Sequence, residues 1–176
     1  MDRLTQEERS HVMSRIRGVD TQPEMLVRSW LHGAGYRYGL HAKDLPGKPD
    51  IVLRARKTIV EIRGCFWHRH PGCSIATDPK SNRDFWEEKF RCNVNRDRDN
   101  EWRWRQGGWK VLIVWSCFLA ATNEEARTLQ RSILLSRLYS LIMGPNDFDE
   151  LGRSDAREEP NAAEAAEPAE EYGKNE

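Results

Sequence analysis

The sequence predicts a mixed α/β domain with helices on both faces of a central sheet. Three observations carry this. Trp109–Trp115 (WKVLIVW) is an unbroken apolar run, the mark of a strand buried on both faces. Ile51-Val-Leu53 and Thr58-Ile-Val-Glu-Ile62, joined by Arg54-Ala-Arg-Lys57, give a hairpin signal. Long helical patterns, Arg83 to about Gln106 and Glu124–Met143, flank the apolar run. With 176 residues, 38% of them apolar, the chain fills one modest core.

The remaining elements follow in order. Thr5-Gln-Glu-Glu8 has capping-box spacing, predicting a helix from about Gln6 to Arg17. That helix is polar nearly all round, so residues 1–19 read as a mobile basic arm. Thr21-Gln-Pro-Glu24 repeats the cap signature with proline in the first turn. Leu26, Val27, Trp30 and Leu31 continue it at helical spacing, and Gly33 and Gly35 end it. Tyr36–His41 alternates weakly, as a strand would. Leu45-Pro-Gly-Lys-Pro-Asp50 is a turn by composition, and Gly107-Gly108 breaks the long helix. The folded body is expected over 20–145.

The formal net charge is zero, but it is not spread evenly. Residues 147–176 hold 11 acids and three bases, which leaves the rest of the chain at +8. A basic body suits a polyanion; a well-solvated surface gives the same count. Residues 146–176 are expected to be an acidic disordered tail. The longest apolar stretch, Val111–Ala121, is too short to span a bilayer of about 30 Å, so no membrane role is expected. The first ten residues have no apolar signal core, which predicts a cytoplasmic protein. Four cysteines without a secretory signature argue for reduced thiols or a metal site.

Three constellations could carry chemistry. Asp50 opens one hairpin strand, and Glu61-Ile-Arg63 lies in the other, with Glu61 and Arg63 on one face. Two carboxylates and the Ile62 carbonyl would suit Mg²⁺. This pattern resembles the PD-(D/E)xK nuclease core, with Arg63 in place of lysine. A Pro-Asp turn beside a surface Glu–Arg pair would read identically. Second, Cys65, His70 and Cys73 lie within nine residues, with Cys117 a fourth candidate just past the buried strand. A Cys₃His set would be a closed, structural Zn²⁺ site; buried free cysteines are the alternative. His68 is left over as a candidate general acid or base. Cys92 reads as core. Third, Phe66-Trp67 and Phe85-Trp86 could wedge between bases, or simply pack in the core.

The segments Met13-Ser-Arg-Ile16, Asp20-Thr-Gln-Pro-Glu24, Leu45-Pro-Gly-Lys-Pro-Asp50, Gly64-Cys-Phe-Trp-His68, Phe85-Trp86, Asn93-Val-Asn-Arg-Asp97 and Gly108-Trp-Lys-Val-Leu-Ile-Val-Trp-Ser-Cys117 together resemble the very-short-patch repair (Vsr) endonuclease family. The resemblance covers most of residues 10–140; the tail lies outside it. It implies a restriction-endonuclease-like fold, a bacterial location near the nucleoid, and a monomeric, strand-specific DNA endonuclease. Such an enzyme nicks duplex DNA beside a T:G mismatch, with a mismatch-repair protein as a candidate partner. By resemblance, Asp50 is the Mg²⁺ carboxylate and His68 the catalytic histidine, with Asp97 orienting it. Glu24 is an auxiliary acid near the metal. Phe66, Trp67 and Trp86 are the intercalating aromatics, and Asn93 lines the site. Cys65, His70, Cys73 and Cys117 match the structural Zn²⁺ ligands.

Two departures stand out. The family pattern places Thr-His before Gly-Cys-Phe-Trp-His, whereas this chain has Ile62-Arg63, and Glu61 stands where an apolar residue is common. A guanidinium cannot act as a base. Glu61 is therefore expected to supply a second Mg²⁺ carboxylate, and Arg63 to stabilise charge on the phosphate. Pro71-Gly72 lengthens the loop before Cys73. The rival expectations are a zinc-stapled DNA-binding protein with weak or no nuclease activity, and a restriction-like nuclease without mismatch specificity.

Overall fold

The computed structural model describes residues 18–121, 123–152 and 155. The expected helix over 6–17 lies outside these. Helix α1 (Gln22–Gly33) starts where the cap signature places it: the Thr21 side chain accepts from the Glu24 amide, with proline in the first turn. Strands β1 (Gly39–Leu40), β2 (Ile51–Leu53) and β3 (Thr58–Arg63) form an antiparallel meander. A 3₁₀ turn at Arg54–Arg56 closes the hairpin, with Lys57 in the left-handed region at φ 46°. Only two residues of the weakly alternating 36–41 stretch become strand.

A short helix α2 (Cys65–His68) follows β3, then the long helix α3 (Arg83–Gln106), β4 (Lys110–Trp115) and α4 (Glu124–Met143). Strand β4 runs parallel to β3, the central strand, and is apolar on both sides. The sheet has five strands in the order β1-β2-β3-β4-β5.

The fifth strand corrects the boundary expected at residue 146. Phe148–Leu151 is β5, parallel to β4, rather than the start of an acidic tail. Its acids are neutralised by arginines distant in sequence. Arg105 makes two 2.9 Å bonds to Asp147, and Arg137 Nε lies 2.7 Å from Asp149. Leu151 is fully buried.

Helices α1 and α4 cover one sheet face, where Val27, Leu31, Leu134 and Leu138 pack on Val60, Leu112 and Val114. Helix α3 covers the other, with Trp104 against Val52, Ile59, Val111 and Ile113. The β2–β3 register pairs Ile51 with Val60, so the next step outward sets Asp50 beside Glu61 on the α3 face. The turn leading to Asp50 is anchored to α3, since the Trp104 indole donates to the Pro46 carbonyl at 2.9 Å. Gly47 is required there: φ is +70°, and a Cβ would run into the Asn100 amide.

Candidate active site and metal centre

Asp50 and Glu61 brace each other across the hairpin end. The Asp50 amide donates to Glu61 Oε2 at 3.1 Å, and the Ile62 amide donates to Asp50 Oδ2 at 2.9 Å. Burial pushes the Asp50 carboxyl up to about 6, with the nearby Glu24 charge adding to it. Burial and the neighbouring Asp50 push Glu61 up to about 8. Two carboxyls raised chiefly by desolvation form a site that gains from a bound cation. One oxygen of each takes the backbone bond, and neither of these bonds uses Asp50 Oδ1 or Glu61 Oε1. This hard-oxygen set fits Mg²⁺.

His68 ends α2 and meets α3. Its Nδ1 lies 2.5 Å from Asp97 Oδ2, which leaves Nε2 outside that contact. Burial raises the Asp97 carboxyl, but the His68 bond and charge, with Arg63 and Arg96, outweigh it and hold the acid below its ordinary value.

Behind Asp50 stand His41 and Arg28, which sequence reading missed, beside Glu24, which it named. His41 Nδ1 is 4.0 Å from Asp50 Oδ1, and its Nε2 is 3.1 Å from Arg28 Nη2. Buried Arg28 also contacts Glu24 at 3.0 Å. Glu24 accepts from the Thr21 hydroxyl and the Asp20 amide as well, so its carboxylate is held by α1 and acts on Asp50 through charge. A lone histidine in a weak strand gives no sequence signal for this role. A groove of about 320 Å³ opens beside these groups, lined by Thr21, Glu24, Ile62, Gly64 and Trp67.

Two expected site residues are placed differently. Arg63 does not stand free beside a phosphate. It is 6% exposed, its Nη1 lies 2.5 Å from Glu101 Oε1, and its guanidinium lies 5.9 Å from the Trp115 ring centre. The neighbouring α3 offers a carboxylate that sequence reading did not connect to it. Asn93 is buried and donates to the Trp67 carbonyl at 3.0 Å, fixing the end of α2 rather than lining an open surface.

The aromatics form one pile. Phe66 meets Trp67, Trp86 and Phe90 edge-on at centroid distances of 5.2, 5.5 and 5.2 Å. Phe66 and Trp67 are half-buried and Trp86 is buried, whereas Phe85, its neighbour in sequence, is exposed.

Cys65, His70, Cys73 and Cys117 converge, with all four ligand atoms within 4.8 Å of one another. His70 Nδ1 lies 3.7 Å from Cys65 Sγ and 3.3 Å from Cys117 Sγ. A tetrahedral zinc with bonds of about 2.0–2.3 Å needs ligand atoms roughly 3.3–3.8 Å apart, so this set fits one. The His70 ring stacks on Trp115 at 4.2 Å. Cys92, expected in the core, is exposed on α3 with its thiol 3.3 Å from Glu88.

Among the described residues, no helix is long and apolar enough to cross a membrane. Residues 1–74 match the family model described as DNA mismatch endonuclease Vsr. The chain is 47% identical over 119 residues to the Type II nicking enzyme V.XorIIP of Xanthomonas oryzae pv. oryzae, covering 68% of this chain and 87% of that one. It is 45% identical over 135 residues to the Type II nicking enzyme V.NmeAIP of Neisseria meningitidis, covering 75% and 96%. It is 37% identical over 136 residues to the DNA mismatch endonuclease Vsr of Escherichia coli, covering 77% and 84%. This chain therefore belongs to the Vsr DNA mismatch endonuclease family and is a DNA nicking endonuclease.

Proposed function

We propose that the enzyme nicks one strand of duplex DNA beside a T:G mismatch, in very-short-patch repair, on a restriction-endonuclease-like core. The observation that carries this is the bonded Asp50–Glu61 pair at one end of the hairpin, with Asp97 of the His68–Asp97 pair close enough for its charge to act on Glu61. Asp50 and Glu61 hold Mg²⁺, which supplies charge stabilisation at the scissile phosphate. His68, kept in one tautomer by Asp97, moves a proton at Nε2 during hydrolysis. Glu24, with Arg28 and His41 behind Asp50, keeps the site anionic and fixed.

The Cys65–His70–Cys73–Cys117 set holds a structural Zn²⁺, tying the loop after β3 to the end of β4. Phe66 and Trp67 are the wedge that enters the stack at the mismatch, where unstacking costs least. Trp86 supports that wedge from beneath. The protein acts as a monomer in the bacterial cytoplasm, at the nucleoid. The domain runs from residue 20, preceded by a basic N-terminal arm.

A second reading is favoured by the relatives' names: V.XorIIP and V.NmeAIP are named for nicking alone. Comparing T:G with T:A duplexes in Mg²⁺ decides between them. Nicking confined to T:G supports mismatch repair, and equal nicking of both duplexes supports a restriction-like enzyme.

A further inference from the structure

We infer that Glu101 is a positioning residue, which keeps the Arg63 guanidinium off the metal-binding carboxylate Glu61 and off Asp97. The inference rests on the Mg²⁺ reading above. Glu61 and Arg63 are two residues apart on one strand and so point to the same face. Arg63 shares its strand face with Glu61, and its partner Glu101 lies four residues after Asp97 on α3. An arginine in that place is a built-in competitor for Mg²⁺. A bidentate pair with Glu61 would cover the oxygens a cation needs, and a pair with Asp97 would loosen His68.

The structure shows what prevents this. Glu101, one helical turn after Asp97 on α3, takes Nη1 at 2.5 Å and draws the guanidinium toward the Trp115 ring. Nε and Nη2 of Arg63 are buried with no acceptor among the described residues. Buried orphan donors are costly, and an arginine released from Glu101 would turn to a carboxylate on the same face, Glu61 on its own strand or Asp97 one turn before Glu101.

The test measures nicking and calorimetric Mg²⁺ binding against Mg²⁺ concentration, with full-length wild type, Glu101→Ala, Arg63→Met and the double variant. Thermal melting is recorded for each. In Glu101→Ala the Mg²⁺ half-saturation should rise on the order of 10-fold, the range seen when an outer-layer partner of a metal ligand is lost. In the double variant it should return to the Arg63→Met value, because the loose cation is gone. If Glu101→Ala melts lower but keeps the wild-type half-saturation, Glu101 is only a structural partner and the inference fails. It also fails if the double variant stays as poor as Glu101→Ala. Asp50→Ala and Glu61→Ala run alongside: if both bind Mg²⁺ as wild type does, the metal reading itself fails and takes this inference with it.

Discussion

His68 Nδ1 and Asp97 Oδ2 stand 2.5 Å apart, joining the short helix after β3 to the middle of the long helix. The pair lets a histidine on a four-residue helix keep one orientation. Asp97→Asn should preserve the contact but offer an amide in place of a charge, disfavouring a protonated ring. Nicking should fall by about 10²-fold or more, and His68→Ala should cost about 10²–10⁴-fold. Single-turnover nicking with gel-shift binding on the same mismatched duplex checks both, with binding retained.

Asp50 and Glu61 should be comparably important. Asp50→Ala should abolish nicking while leaving DNA affinity largely intact, because phosphate contacts come mainly from Lys and Arg. Glu61→Ala should lose on the order of 10²-fold if a metal ligand is removed. Nicking by Glu61→Ala at the wild-type rate would leave the metal to Asp50 and backbone oxygens.

The same pair predicts a pH dependence. The ordinary values are 3.8 for Asp and 4.5 for Glu, and the fold raises them to about 6 and about 8. Raised carboxyls favour the protonated form in the fold. Their stability contribution is therefore full below about pH 4 and is lost as pH rises through about 8. Mg²⁺ binds the deprotonated pair, so its stabilising effect should grow with pH. Melting curves with and without Mg²⁺ should differ more at pH 8.5 than at pH 6; an equal difference would mean the cation sits elsewhere.

Much of this site was legible in the sequence because its signals are local. The Thr21–Glu24 cap, the hairpin between Asp50 and Glu61, and the glycine pair after Gln106 each specify structure within a few residues. The four soft ligands were legible by type, although Cys117 is far from the rest. What was hidden is nonlocal. Phe148-Asp-Glu-Leu151 looks like acidic tail until Arg105 and Arg137 arrive from other helices. Arg63 looks like a phosphate ligand until Glu101, 38 residues on, takes it. His41 gains meaning only once the sheet sets it beside Asp50.

The Cys65, His70, Cys73 and Cys117 cluster should hold one zinc per chain. Elemental analysis of reduced, purified protein should return a stoichiometry near one. Cys117→Ser should lower it and destabilise the protein more than Cys92→Ser, whose thiol is exposed. Protein free of zinc with an unchanged melting point would leave the cluster as plain thiols.

The aromatic pile predicts how mismatches are told from paired bases. Phe66 and Trp67 are half-buried and packed on Trp86, with Phe90 also against Phe66 and Trp86. A ring supported in this way can push into a base step without folding back. Insertion costs a few kcal/mol of unstacking at a paired step and less at a mismatch. Trp67→Ala and Phe66→Ala should therefore weaken binding to a T:G duplex more than to its T:A counterpart, by on the order of 10-fold for one lost stacking ring of about 1–3 kcal/mol. Trp86→Ala should instead lower the melting temperature and weaken both, since it removes the support. Fluorescence anisotropy on the two duplexes, with melting curves for each variant, separates these effects. Equal losses on both duplexes for Trp67→Ala would make that ring a packing residue and move mismatch recognition to another part of the protein.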